Sequence, residues 1–267
     1  MMVRRVIAGI DGSGPGLAAA HWAAREARLR GCALRLIHVW PPDPYAPPVL
    51  DRAVSELALR HPGLEVQGEQ ADGRAPDVLA DAGRCADLLV LGSRGLGGFP
   101  GLLLGSVALE TAHRSPCPVA LVPEHRPGRE GPPEIALGID TRHPAGPAAD
   151  YAFAAARRRE ARLRAVHAWS LPAPYGSPWA PYAVTEEDRA AWEDQEVQLL
   201  HDALRGHRRA YPAVPVVADV RLLGPAKALV TASARAELLV VGRPGESLNG
   251  VPHAVAHHAH CPVVLVP

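Results

Sequence analysis

Leu88-Leu89-Val90-Leu91-Gly92-Ser93-Arg94-Gly95, followed after nine further residues by Gly105-Ser106, is a short aliphatic run that breaks into glycine and resumes as a helical pattern. An unbroken apolar run of this length suits a strand buried on both faces of a parallel sheet. A glycine-rich loop between such a strand and a helix lets backbone N–H groups close on an anion, and the helix N-terminus adds partial positive charge. Gly92 and Gly95 are expected to allow close backbone approach and positive φ. Arg94 can meet a phosphate bidentately, with a solvated loop arginine as the equally weighted alternative. The loop lacks Gly-Lys-Ser/Thr and so is not a Walker loop; Lys227 is the chain's single lysine. Tight nucleotide binding fits it better than fast hydrolysis.

The surrounding chain repeats itself. Val6-Ile7-Ala8-Gly9-Ile10-Asp11 matches Ile135-Ala136-Leu137-Gly138-Ile139-Asp140, and His38-Val39-Trp40 matches His167-Ala168-Trp169, both 129 positions on. Ala86 to Gly92 matches Ala236 to Gly242 at an offset of 150, and Cys117-Pro118-Val119 matches Cys261-Pro262-Val263 at 144. Four matches in one order indicate an internal duplication, with 21 residues added midway through the second copy and 6 lost near its end.

Within the first copy, strand patterns fall near 4–10, 33–39, 64–70, 87–92 and 118–122. Helical patterns fall at Leu17–Arg30, Pro76–Cys85 and Ser106–Arg114. Alternation of this kind predicts a parallel sheet with right-handed crossovers. The second copy follows suit, with a long helix expected over Thr185–Tyr211; its counterpart, Pro41–His61, carries a proline cluster. A stretch of chain breakers from Pro123 to Pro133 separates two expected domains, 1–124 and 133–267.

Bulk properties exclude several classes. The chain has 267 residues, 48% of them apolar, which is a globular composition. Its 28 basic and 28 acidic residues balance, against the basic excess of a nucleic-acid binder. The N-terminal apolar run is too short for a secretory signal, and no run approaches a membrane span. Cys32, Cys85, Cys117 and Cys261 form no CxxC pair. Reduced cysteines in a cytoplasmic protein, with no membrane or nucleic-acid partner, are the expectation.

In open α/β sheets, ligands bind beyond the carboxyl ends of strands where strand order reverses. Asp11 sits at such an end. It would accept a hydrogen bond from an adenine amino group or a ribose hydroxyl, or else cap the following helix, a role worth about 1 kcal/mol. The neighbouring glycine loop tips the balance toward ligand contact.

With these residues assembled, the chain resembles the universal stress proteins. Gly92-x-x-Gly95-x9-Gly105-Ser106 fits that family's ATP-binding pattern. Gly97-Gly98-Phe99, the run from Gly101 to Val107, the first-strand Gly-Ile-Asp-Gly-Ser, His-Val-Trp and Cys-Pro-Val also match it. The resemblance implies two tandem Rossmann-like domains of the adenine nucleotide alpha hydrolase-like kind, each a five-stranded, mostly parallel sheet flanked by helices. It implies ATP, with or without Mg2+, in domain one. Asp11 and the Val39 backbone would hold adenine, with Gly9 and Ile10 leading into the site. Gly92, Arg94, Gly95, Gly105 and Ser106 would hold ribose and phosphates, flanked by Leu91 and Val107.

The second copy departs from the pattern. It keeps Asp140, Gly242 and Gly245, but four residues separate Gly245 from Gly250, Val251 replaces Ser106, and Pro244 removes a backbone donor. Domain two is expected to bind ATP weakly or not at all and to pair with domain one; a homodimer of whole chains is the further option.

Other signals are set aside. His253 and His257 have metal-ligand spacing, but His253, His257, His258 and His260 offer no third ligand of clear spacing. Arg157-Arg158-Arg159 and Arg162, with Glu160 among them, read as a solvated helix end. Trp22, Trp169, Trp179 and Trp192 read as core or interface, and Ser13 and Ser106 lack a hydrolase triad. The leading expectation is an ATP-binding regulatory protein of the stress response, with an unidentified protein partner. A slow ATPase using the same site and a nucleotide-independent scaffold are the alternatives.

Overall fold

The computed structural model describes residues 5–40, 48–95, 104–124, 131–144, 146–171, 184–243 and 250–267. The chain falls into two compact units, Met1–Gly128 together with Arg243–Pro267, and Arg129–Gly242. Both are α/β.

The first unit holds β1 (Arg5–Ile10), α1 (Gly14–Arg30), β2 (Ala33–Val39), α2 (Val49–Arg60), β3 (Val66–Ala71) and α3 (Ala75–Ala82). It continues with β4 (Leu88–Gly92), α4 (Ser106–Arg114) and β5 (Val119–Val122), and takes α8 (Val251–His258) and β10 (Val263–Val266) from the chain's end. Its strand order is β3-β2-β1-β4-β5-β10. All neighbours are parallel except β5 and β10, which pair antiparallel with Val264 opposite Ala120. The second unit holds β6 (Glu134–Gly138), α5 (Gly146–Arg158), β7 (Arg162–Trp169), α6 (Glu186–Ala210), β8 (Val216–Leu222), α7 (Pro225–Ser233) and β9 (Leu238–Gly242). Its strands run β9-β6-β7-β8, all parallel.

Duplication and compact units therefore divide the chain differently. By sequence β10 is the fifth strand of the second repeat; the compact units group it with the first, in which it pairs with β5. The helix expected at 17–30 begins three residues earlier, and the segment after the proline cluster forms α2. The long second-repeat helix is α6, whose N-cap Thr185 accepts the Asp188 N–H at 3.1 Å.

Helix α1 shows how composition becomes packing. Five of its eight buried residues are alanine, Ala19, Ala20, Ala23, Ala24 and Ala27, so its backbone can lie close to the sheet. Ser13 caps its start, and Gly31, at φ 62°, ends it in the left-handed conformation. Strand order reverses between β1 and β4, which places a crevice at their carboxyl ends.

Candidate functional site

At that crevice lies a cavity of about 480 Å³. All eleven residues expected at the site line it. Gly9 and Ile10 come from β1, Asp11 follows it, Val39 ends β2, and Leu91 and Gly92 end β4. Arg94 and Gly95 come from the loop, and Gly105, Ser106 and Val107 form the start of α4. His38, Trp40, Ile37, Gly16, Leu79 and Leu104 also line it. Of these, His38 and Trp40 are marked in the sequence by the repeat and by the family resemblance, not as site residues. Their usable signal was position: a polar ring and an indole at the end of a strand beside the reversal in strand order.

The loop is pinned at its base. The Ser93 N–H donates to the Val122 carbonyl at 2.9 Å, and the Gly105 N–H donates to the Ser93 carbonyl at 2.7 Å. Gly97, Gly98, Phe99, Gly101, Leu102 and Leu103 lie outside the described residues, as do Trp179, Pro244 and Gly245.

The glycines differ in purpose. None of Gly92, Gly95 and Gly105 has positive φ, so that expectation is corrected: close approach is what they provide. A Cβ at Gly92 would sit 2.9 Å from the Pro15 carbonyl oxygen and 3.0 Å from that of Arg94, so the fold alone demands glycine there. A Cβ at Gly95 would meet Asp11 Oδ2 at 2.6 Å. At Gly105 nothing among the described residues comes nearer than 3.7 Å, and one of those neighbours is the Gly95 amide nitrogen. The Gly9 requirement also belongs to the fold. A Cβ there would press on Leu79 and Leu91, and its counterpart Gly138 is crowded in the same way by Leu229 and Val241.

Asp11 is not the helix cap. Its Oδ1 accepts the Ser13 N–H at 2.9 Å and the Ser13 hydroxyl at 2.5 Å, while Ser13 Oγ accepts the Gly16 N–H at 3.1 Å. Ser13 is the cap and Asp11 braces it. Arg94 pairs with Glu124 at 3.0 Å, with both side chains partly exposed. The two helix N-termini contrast. That of α1 is capped by Ser13, whereas α4 begins after Gly105 with no side-chain cap and no acid in its first turn. Among the described residues, no side chain caps the first N–H groups of α4, which suit water or a ligand.

The second unit keeps the aspartate's backbone bond and changes the side chains around it. Asp140 Oδ1 accepts the Arg142 N–H at 2.9 Å. The Arg142 guanidinium reaches Glu196 on α6 at 2.6 Å, and Glu196 Oε2 lies 3.0 Å from His167 Nε2. Burial works to raise the Glu196 carboxyl, but the hydrogen bonds and charges of Arg142 and His167 outweigh it and hold it below the usual glutamate range. In the first unit the chain leads into α8 through Gly250 at φ 64°, ψ −124°, whereas Gly105 precedes α4 in an extended conformation.

Among the set-aside signals, the arginine run is corrected. Arg159 is buried against Glu237 at 3.5 Å, and burial lowers its pKa from the usual arginine value. Arg157 lies over the Tyr211 ring, and Arg162 pairs with buried Glu134. Trp22 and Trp169 are buried. Among the described residues no group of three or more His, Cys, Asp or Glu is placed to hold a metal, and no helix is long and apolar enough to cross a membrane. All four cysteines are free thiols.

Comparison with known proteins agrees along the whole length. A model of the universal stress protein family matches residues 2–75, 52–123 and 133–267. Universal stress protein Rv1996 of Mycobacterium tuberculosis is 32% identical over 302 residues, covering 97% of this chain and 94% of its own. Universal stress protein Mb2028c of Mycobacterium bovis is 33% identical over 298 residues, covering 97% and 96%. Among solved structures, a universal stress protein from Archaeoglobus fulgidus matches with a TM-score of 0.63 at 15% identity, covering 98% of this chain and 97% of that one, a likeness of fold alone.

Proposed function

The chain belongs to the universal stress protein family, and from that premise we propose that its first unit binds ATP in the cavity at the β1–β4 crevice. The nucleotide acts as a regulatory ligand, altering how the protein engages a partner in a stress response. The observation that carries this reading is the uncapped start of α4, facing a cavity whose glycine positions leave room that a side chain at 105 would fill. Polyphosphate oxygens would accept from the Gly95 and α4 N–H groups, and Arg94 would exchange Glu124 for phosphate. Magnesium, where used, arrives on the phosphates.

We assign the nucleotide to the first unit alone. The shortened loop, the left-handed Gly250 and the Arg142–Glu196–His167 group support this asymmetry.

Gly105→Val is the cleanest test, because its Cβ meets no atom closer than 3.7 Å among the described residues and its backbone is extended. The unliganded variant should unfold within about 0.5 kcal/mol of wild type. ATP should raise the melting temperature of the wild type only. A wild-type ATP shift in Gly105→Val would refute this site.

A further inference from the structure

Arg243 is a buried arginine that stands where the first repeat carries Ser93, 150 positions earlier. Its backbone N–H donates to the Val266 carbonyl at 2.6 Å, as the Ser93 N–H donates to that of Val122. Beyond the backbone the two positions differ. Ser93 helps to close the loop at the nucleotide cavity, its carbonyl accepting the Gly105 N–H. Arg243 is 6% exposed and donates from Nη1 to the His113 carbonyl and from Nη2 to the Ser115 carbonyl, both at 2.7 Å. Those carbonyls lie at the C-terminal end of α4, the helix whose opposite end meets the cavity.

The other holds on α4 among the described residues are lighter. Its buried positions are Ala108, Thr111 and Ala112, so it offers only small side chains to the core. Glu110 pairs with Arg74, and Arg114 with Asp77 at the start of α3, but these side chains are largely exposed, and exposed ion pairs hold weakly. A buried guanidinium on two carbonyls holds more firmly, because breaking it strands a charge away from water. The cation also meets the negative end of the helix dipole.

We propose that Arg243 is a positioning residue for the phosphate site, setting from the far end of α4 where its first N–H groups stand. The proposal rests on the nucleotide reading above and deepens it. A nine-residue helix is about 13 Å long and moves as a rod, so a shift at its C-terminus swings its N-terminus. Hydrogen bonds to phosphate tolerate little of that swing, since they weaken steeply as they lengthen and bend. Asp11 and Val39, at the ends of β1 and β2, stand on other elements and keep their places. The altered loop of the second repeat thus serves the ligand of the first: the residue that replaces Ser93 there supports the helix on which phosphate is held.

The test compares ATP with adenosine, which has no phosphates, by titration calorimetry on the full chain. Arg243→Met keeps a long buried side chain and loses the donors. It should bind ATP about tenfold more weakly than wild type does, and adenosine with wild-type affinity. Arg243→Lys restores the cation without the planar fork and should lose about threefold in ATP affinity, with adenosine again unchanged. A purely structural role would lower the melting temperature and leave both affinities alone, or weaken both together. Either result in a folded variant would overturn the proposal and leave the nucleotide site standing. Should Arg243→Met not fold, Arg243→Lys carries the same comparison. Wild type binding ATP no better than adenosine would instead bring down the phosphate site at α4 itself.

Discussion

A methyl group at position 95 would have one neighbour within 4 Å among the described residues, the Asp11 carboxylate at 2.6 Å. That makes the need for glycine conditional on Asp11 and gives a double-mutant test. Gly95→Ala should cost about 1–2 kcal/mol by overpacking in the wild-type background, and almost nothing more in Asp11→Ala, as read by denaturant unfolding. Equal costs in both backgrounds would place the strain elsewhere. Gly92 has no such relief, since its neighbours are backbone carbonyls; Gly92→Ala should cost about 2 kcal/mol whatever stands at position 11. This distinction was not legible in the chain. Spaced glycines announce close approach, but which atoms approach, and whether the reason is fold or ligand, depends on Pro15 and Asp11 arriving from another strand and helix. Asp11 itself was read as a choice between cap and ligand contact, and the structure gives Ser13 the cap with Asp11 behind it.

Helix α4 spans Ser106–Arg114 and begins without a cap, which costs stability that a ligand can restore. Ser106→Asp should therefore move two quantities in opposite directions. A carboxylate at the first turn should stabilise the unliganded protein by about 0.5 kcal/mol, while its repulsion of phosphate should weaken ATP binding at least tenfold. Stabilisation with unchanged ATP affinity would mean that phosphates do not sit at this terminus. In the second unit, α6 places Glu196 between Arg142 and His167, with its carboxyl held below the ordinary glutamate range. A carboxyl lowered in the folded state stabilises the fold above its unfolded pKa, and that contribution is lost as pH falls through the folded value. Glu196→Ala should thus cost about 2 kcal/mol at neutral pH and progressively less on acidification below the glutamate range. A cost independent of pH would show that packing, not charge, gives Glu196 its role. The helices themselves were readable from alternation with strands; this contact was not, because Arg142, His167 and Glu196 share no local pattern and meet only through tertiary packing.

For the whole molecule, the duplication was legible at four matched segments, and with it the α/β class and the crevice where strand order reverses. The placement of β10 was not. Val263–Val266 is an aliphatic run that suits any buried strand, and nothing in its composition names β5 as its neighbour or antiparallel as its direction. The eleven expected site residues do converge on one cavity, because a strand-end aspartate and a glycine loop on the neighbouring strand must meet there in a parallel sheet. What the duplication adds is asymmetry: one copy retains the long loop and a helix that starts without a side-chain cap, while the other has a shortened loop and a histidine bonded by Glu196. The central claim is therefore a number, the moles of ATP bound per chain at saturation. Titration calorimetry of nucleotide-free full-length protein should give one; a value of two, or no binding at millimolar ATP, would contradict it.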